Sequence, residues 1–166
     1  ELNETLVKFD VPTSEMLVDT LRNRQKLTGT RIGCDQAACG ACTVLIDGSP
    51  RASCSTFTWA ADGSTVMSIE GAGSPDGLSP EQQAFAEGSA FQCGYCTPGQ
   101  IVSAVGMLDE VSDGWPSHAT ADVKDGSSLS LDEIRERMSG NLCRCSAYPN
   151  IVDAIETASA KMKETA

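Results

Sequence analysis

Eight cysteines, at positions 34, 39, 42, 54, 93, 96, 143 and 145, are the residues of this 166-residue chain whose type and spacing can do chemistry. Thiolates at short intervals either pair as disulfides or bind soft metals. A disulfide scaffold fits poorly, because such staples rescue chains too small to build a core and this chain is long enough to build one. Cys143-Arg144-Cys145 also sets two thiols one residue apart, which suits two ligands of one metal centre better than two separate staples. The first four, Cys34, Cys39, Cys42 and Cys54, run C-x4-C-x2-C with a fourth cysteine after eleven further residues. That is the plant-type spacing for a 2Fe-2S cluster. Three ligands converge from one tight loop and the fourth arrives from a later segment. Gly33, Ala37, Ala38, Gly40 and Ala41 are small enough for the backbone to close around a cluster with its N–H groups aimed at sulfur, although they also suit an ordinary tight loop.

The second four, Cys93, Cys96, Cys143 and Cys145, read C-x2-C and C-x1-C with 46 residues between. Cys93-Gly94-Tyr95-Cys96 alone could be half of a four-thiolate zinc site. The full pattern is unusual for zinc and matches no general ferredoxin pattern, so spacing favours iron–sulfur with zinc as the alternative. Several other residues carry less. His118 is the single histidine, and a Rieske centre needs two, so it reads as a solvated loop residue. Trp59 and Trp115 suit an interface, with core packing equally open to Trp59. Tyr95 and Arg144 stand between ligands, where they either shield and tune a cluster or pack between loop segments.

The elements that must position these thiols follow from periodicity and turn chemistry. Glu4 to Val11 alternates as a strand, and Thr13 or Ser14 can cap a helix from Glu15 to about Lys26. Thr43-Val44-Leu45-Ile46 is a β-branched run ending at Asp47-Gly48, a hairpin turn that returns through Arg51 to Cys54. A further strand is expected at Thr65 to Ile69. Together these predict an open β-grasp arrangement on a mixed sheet with the first cysteine loop at its edge. Gly71-Ala72-Gly73-Ser74-Pro75-Asp76-Gly77 is a linker by composition. Beyond it, helices are expected from Glu81 to Ser89 with Pro80 at the start, from Thr97-Pro98 to about Glu110, over Ile134 to Met138 after the capping box Ser130-Leu131-Asp132-Glu133, and from Pro149 with Ile151, Val152, Ile155, Ala158 and Met162 on one face. Residues 111 to 129, with Gly114, Pro116, Gly126 and paired serines, form a long surface excursion. The fold class is therefore α+β. A plant-type ferredoxin-like β-grasp domain is expected over residues 1–78, and a four-helix-bundle domain over 79–166, with its four thiols gathered near helix N-termini.

Composition narrows the partners. Twelve Lys and Arg against 23 Asp and Glu give a net charge of −11, which argues against nucleic-acid backbones and anionic membranes. Both halves are acidic, with 6 basic and 10 acidic residues up to position 80 and 6 and 13 after it. No apolar run is long enough to span a bilayer, and Glu1-Leu2-Asn3-Glu4 lacks the features of a signal peptide. The expected compartment is left open between cytoplasm and periplasm, the latter requiring a twin-arginine signal upstream of Glu1.

Gly33-Cys34, Cys39-Gly40-Ala41-Cys42-Thr43-Val44, Phe91-Gln92-Cys93-Gly94-Tyr95-Cys96-Thr97-Pro98-Gly99-Gln100 and Ser139-Gly140-Asn141-Leu142-Cys143-Arg144-Cys145 together resemble the iron–sulfur subunit of the molybdenum hydroxylases, the xanthine dehydrogenase and aldehyde oxidase family. The stretch from Asp132 to Asn141 is most similar to the small subunit of bacterial three-subunit, periplasmic-type aldehyde oxidoreductases. The resemblance implies two 2Fe-2S clusters on this chain and a relay role without substrate chemistry. It implies a large subunit bearing molybdopterin, in its cytosine dinucleotide form, and a middle subunit bearing FAD. It further implies that Cys93, Cys96, Cys143 and Cys145 hold the cluster next to the pterin and accept electrons first, with Gln92 and the backbone around Cys145 touching the pterin. For Gln92, a bond to a helix terminus is the plainer alternative. Two departures from the family pattern stand out. Asp35-Gln36-Ala37-Ala38 has Ala where Gly is usual, which resists a positive φ, and Ser146-Ala147-Tyr148 replaces Thr-Gly-Tyr. Other classes that fit the residues are a stand-alone ferredoxin-like carrier and a zinc-stabilised interaction module.

Overall fold

The computed structural model describes residues 1–74, 76–124 and 128–165. Pro75 of the expected linker, and Gly126 and Ser127 of the expected excursion, lie outside them. A small antiparallel sheet is formed by β1 (Thr43–Ile46), β2 (Ser49–Ala52) and β3 (Val66–Met67) in the order β2-β1-β3. The β1–β2 hairpin pairs Thr43 with Ala52 and Ile46 with Ser49. Its two-residue turn, Asp47-Gly48, has φ of 49° and 78°. Two successive left-handed residues match the natural twist of paired strands, so this turn sets the register.

Glu4–Val11 is not a strand, contrary to the alternation in its sequence. Glu1 to Asn3 already run beside β3, where the Val66 N–H donates to the Glu1 carbonyl at 2.8 Å and the Asn3 N–H to the Val66 carbonyl at 2.9 Å. Asn3 and Glu4 then take φ of 46° and 62° and turn the chain away from that edge. The sheet is antiparallel rather than mixed. Its one parallel feature among the described residues is the isolated Leu2–Val66 bridge. The expected helix at Glu15–Lys26 is shorter, with α1 at Leu17–Asp19 continuing as a π-helical turn over Thr20–Arg24. Neither Thr13 nor Ser14 caps it, since Met16 is the N-cap residue and makes no side-chain bond.

The second part of the chain is helical. α2 (Pro80–Glu87) begins with a full capping box between Ser79 and Gln82, with Pro80 at the first position. α3 (Thr97–Ser112) buries Ile101, Val102, Ala104, Met107 and Leu108, residues spread around its circumference. Such a helix is central, and α3 does lie between the sheet and the remaining helices. α4 (Leu131–Arg137) is capped by Ser130, whose Oγ accepts the Glu133 N–H at 3.2 Å. α5 (Tyr148–Thr165) buries Ile151, Val152, Ile155 and Ala158, whereas Met162 is exposed. These four helices share one apolar core with Phe85, Met107, Ile134 and Ile155 at its centre. Leu2, Leu17, Leu21, Val44 and Val66 form a separate core under the sheet.

Candidate metal centres

The hairpin register brings the ends of β1 and β2 together, and with them two of the first four thiols. Cys42 directly precedes β1 and Cys54 lies on the 3-10 turn Ser53–Ser55 that follows β2. The Ser53 N–H and Oγ both donate to the Cys42 carbonyl, at 3.3 and 2.7 Å, pinning that pair. Cys34 and Cys39 come from the preceding loop, whose Asp35, Ala37 and Gly40 take φ of 56°, 58° and 70°. Ala37 thus adopts the left-handed conformation despite its side chain, at a steric cost of about 1–2 kcal/mol. Repeated reversals aim the N–H groups inward. Gln36 and Ala38 donate to Cys34 Sγ at 3.5 and 3.2 Å, and Ala37 donates to Cys54 Sγ at 3.3 Å. These donors favour thiolate, and the Gln36 and Ala38 N–H groups bring the Cys34 thiol down to about 7. Burial has the opposite effect on Cys54, pushed up to about 11 against the Ala37 N–H.

The second four thiols meet where α3 and α5 begin. Cys96 is the N-cap residue of α3, and Cys143 and Cys145 lie just before α5. The Tyr95 N–H donates to Cys93 Sγ at 3.5 Å and lowers that thiol's pKa. The Ala147 N–H donates to Cys143 Sγ at 3.4 Å. Burial raises Cys96 to about 11. The Tyr148 hydroxyl, retained in the variant Ser146-Ala147-Tyr148 stretch, accepts the Cys143 N–H at 2.7 Å.

Within each group the thiols lie close enough to act on one another. Cys34 is beside Cys39 and Cys54 beside Cys42, with Cys54 also in electrostatic reach of Cys34, while Cys93 is beside Cys145 and Cys96 beside Cys143. All eight are free of disulfides. Among the described residues, no three His, Cys, Asp or Glu side chains converge tightly enough to hold a single metal ion. A tetrahedral zinc ion would need four at one point, whereas a 2Fe-2S cluster takes two thiolates on each of two irons. The donor set, its division into pairs and the N–H groups aimed at sulfur therefore fit a binuclear iron–sulfur cluster in each group. In the first group Cys42 and Cys54 are buried and Cys34 and Cys39 half-buried; in the second Cys143 is buried, Cys96 and Cys145 are half-buried and Cys93 is exposed, and members of both groups line a single cleft of ≈ 520 Å³.

Three hydrogen bonds join the two cysteine loops. The Leu142 N–H donates to the Cys39 carbonyl at 2.9 Å, Asn141 Nδ2 to the Gly40 carbonyl at 3.3 Å, and the Tyr95 hydroxyl to the Ile32 carbonyl at 2.7 Å. Tyr95 also lies under the Arg31 guanidinium, 5.6 Å from its ring centroid. Arg144 is exposed on the cleft wall. Gln92 is exposed and its Nε2 donates to the Cys145 carbonyl at 2.9 Å, which places it on the outer side of the second group. His118 and Trp115 are exposed in the segment after α3, and Trp59 is 55% exposed, stacked on Phe57 with Nε1 bonded to the Thr13 carbonyl. Core packing of Trp59 is thereby ruled out. Asn141 and Gln100 stand in the stretches that carry the family resemblance, although spacing gives neither a role. Both are buried, and Gln100 Nε2 donates to the Asn141 carbonyl while Asn141 Nδ2 also reaches the Gly99 carbonyl.

Two family models match the chain. Residues 1–66 match one described as a 2Fe-2S iron-sulfur cluster binding domain, and residues 68–156 match one described as a 2Fe-2S binding domain. The aldehyde oxidoreductase iron-sulfur-binding subunit PaoA of Escherichia coli (strain K12) is 49% identical over 98% of this chain and 71% of its own length. Among solved structures, quinoline 2-oxidoreductase from Pseudomonas putida 86 aligns with a TM-score of 0.83 at 38% identity, covering 98% of this chain and 93% of that one. Aldehyde oxidoreductase from Desulfovibrio gigas aligns with a TM-score of 0.85 at 35% identity, covering 99% of this chain and 17% of the other.

Proposed function

The chain belongs to the iron–sulfur subunits of the molybdenum hydroxylases, and from that membership we propose that it relays electrons from a molybdopterin site on a large subunit to FAD on a middle subunit. The enzyme so served is an aldehyde oxidoreductase, by similarity to PaoA. Residues 1–78 act as a ferredoxin-like β-grasp domain whose cluster is held by Cys34, Cys39, Cys42 and Cys54. Residues 79–166 act as a four-helix bundle whose cluster is held by Cys93, Cys96, Cys143 and Cys145. When bound, each 2Fe-2S cluster takes up and gives back one electron. The protein's part is to hold the irons by thiolate pairs, to favour the reduced state by N–H groups on sulfur, and to fix the distance between the two sites. The observation that carries this reading is that two sets of paired thiols open onto one cleft.

The second group faces the pterin in this reading and accepts electrons first. Gln92 supports it, being exposed beside Cys145 and holding that ligand's carbonyl. Gln92→Ala then slows reduction by substrate without loss of iron. The direct test is EPR of the dithionite-reduced protein with iron and sulfide quantified on the same sample. Two distinct S = 1/2 signals with about four irons per chain are expected, the sum of two 2Fe-2S clusters, together with molybdenum in a co-purifying large subunit. A single signal on a chain that purifies alone would mark a stand-alone carrier. Zinc in a colourless protein would mark an interaction module.

A further inference from the structure

The geometry points to the hydrogen bond from the Leu142 N–H to the Cys39 carbonyl as the route by which electrons cross between the two cysteine groups, with Asn141 as the residue that holds it in register. The inference rests on the relay reading above. Electron tunnelling decays least steeply through covalent bonds, somewhat more through a hydrogen bond and most steeply through open space. Cys34 and Cys39 of the first group and all four cysteines of the second line the ≈ 520 Å³ cleft, so a route through the cleft crosses open space. The backbone offers a shorter effective path. From Cys39 Sγ it runs through that residue's own Cβ, Cα and carbonyl, crosses the 2.9 Å bond to the Leu142 nitrogen, and continues through the next peptide to Cys143 Sγ. One electron moves at a time, one cluster being oxidised as the other is reduced, and no bond is made or broken.

The other two bridges are poorer conductors by connectivity. The Tyr95 hydroxyl ends on Ile32, so that path crosses Gly33 and then the whole tyrosine side chain before reaching a ligand. The Asn141 amide to Gly40 is longer, at 3.3 Å, and starts from a side chain. Its placement suits a positioning role. Asn141 Nδ2 is shared between the Gly40 and Gly99 carbonyls, and the Asn141 carbonyl is held by buried Gln100. The residue therefore ties the first cysteine loop, the first turn of α3 and the segment entering Cys143 at one point, immediately before the Leu142 N–H.

The experiment uses the assembled complex. Replacing the Leu142 amide with an ester, by incorporating the α-hydroxy analogue of leucine, removes the N–H and leaves the side chain. Single electrons are delivered by pulse radiolysis, and their redistribution between the two clusters is followed by absorbance and freeze-quench EPR. Redistribution slowed several-fold is expected, with iron content and both cluster potentials at wild-type values. Tyr95→Phe, which loses only the hydroxyl, keeps the wild-type redistribution rate. An ester protein with both clusters loaded and an unchanged rate would overturn the route, as would Tyr95→Phe slowing it equally. Should the ester protein lose iron, Asn141→Ala carries the test, with slowed redistribution at full iron content expected and an unchanged rate fatal. Failure of the relay reading itself looks different, because the unmodified complex would then show one cluster or no redistribution.

Discussion

Ala37 holds a φ of 58° that its side chain opposes, and it does so while its N–H reaches Cys54 Sγ at 3.3 Å. The cluster loop is therefore strained where it is most useful. Glycine at this position relieves the clash but gains freedom in the unfolded chain, and the balance still favours it at positive φ. Ala37→Gly is expected to stabilise the loaded protein by roughly 0.5–1 kcal/mol, read as slower bleaching of the visible absorption in urea. Equal or faster bleaching would show that the strain is absorbed elsewhere in the loop. The ligand sets also make separate predictions. Cys145 stands beside Cys93 in the second group, so Cys145→Ser should remove or alter one EPR signal and leave the other intact. Loss of both signals with the fold preserved would contradict the grouping.

At the level of elements, the short α1 and its π-helical turn are clamped from outside. Arg24 donates to both oxygens of Glu15 at 2.6 Å, the Thr20 hydroxyl donates to the same carboxylate at 2.6 Å, and the Thr58 N–H donates to the Glu15 carbonyl. The Arg24 bonds first, then Thr20, hold the Glu15 carboxyl down at about 2. A carboxyl lowered in the folded state contributes stability that is fully present above its unfolded value of about 4.3 and is lost as the pH falls toward and through the folded one. Glu15→Gln should thus lower the urea midpoint at neutral pH, with the gap from wild type closing between about pH 4.3 and pH 2. Curves that stay parallel through that window would refute the clamp. This is also the region the sequence conveyed least. Alternation in Glu4–Val11 shows that the segment has two faces, but a strand also needs a free edge, and Glu1–Asn3 occupy the edge of β3. The Ser130 cap was legible, yet Glu133 does not close the reciprocal half of the box. Its carboxylate is drawn instead to Ser117, Thr120 and Arg137, which bind down the excursion after α3. The grouping of the first four cysteines could be read from spacing, because three of them share one loop, whereas the second four, split by 46 residues, could be grouped only through the helix starts expected beside them. Their partition into 34/39, 42/54, 93/145 and 96/143 could not, because it depends on how two distant segments dock.

For the whole molecule, docking of the two parts is the property on which any relay depends, and α3 controls it with residues that have no side chain. A Cβ on Gly99 would lie 2.3 Å from the Gly40 carbonyl oxygen, and one on Gly106 would lie 2.5 Å from Pro50 Cγ and 2.9 Å from Leu45 Cδ2. Both are glycines because the helix rests directly on the first cysteine loop and on the β1–β2 hairpin. The obstacles differ in kind. Gly40 presents backbone, itself pinned by Thr43 and Asn141, whereas Gly106 meets the Pro50 ring, which can yield only by a change of pucker, and one methyl group of Leu45. Alanine also gains up to about 1 kcal/mol of helix propensity at either site, which offsets part of an overpacking cost of roughly 1–3 kcal/mol. Gly99→Ala should therefore lower the unfolding midpoint more than Gly106→Ala does. It should also lengthen the Leu142-to-Cys39 bond, because α3 can make room for the methyl group only by lifting off the Gly40 loop that carries Cys39. The measurement pairs urea unfolding with the magnetic interaction between the two reduced clusters in EPR. A weakened interaction in Gly99→Ala, with near wild-type coupling in Gly106→Ala, is expected. Equal coupling in both variants would mean that the spacing of the clusters is set by Asn141 and its partners alone, and that the helix contact contributes stability without contributing geometry.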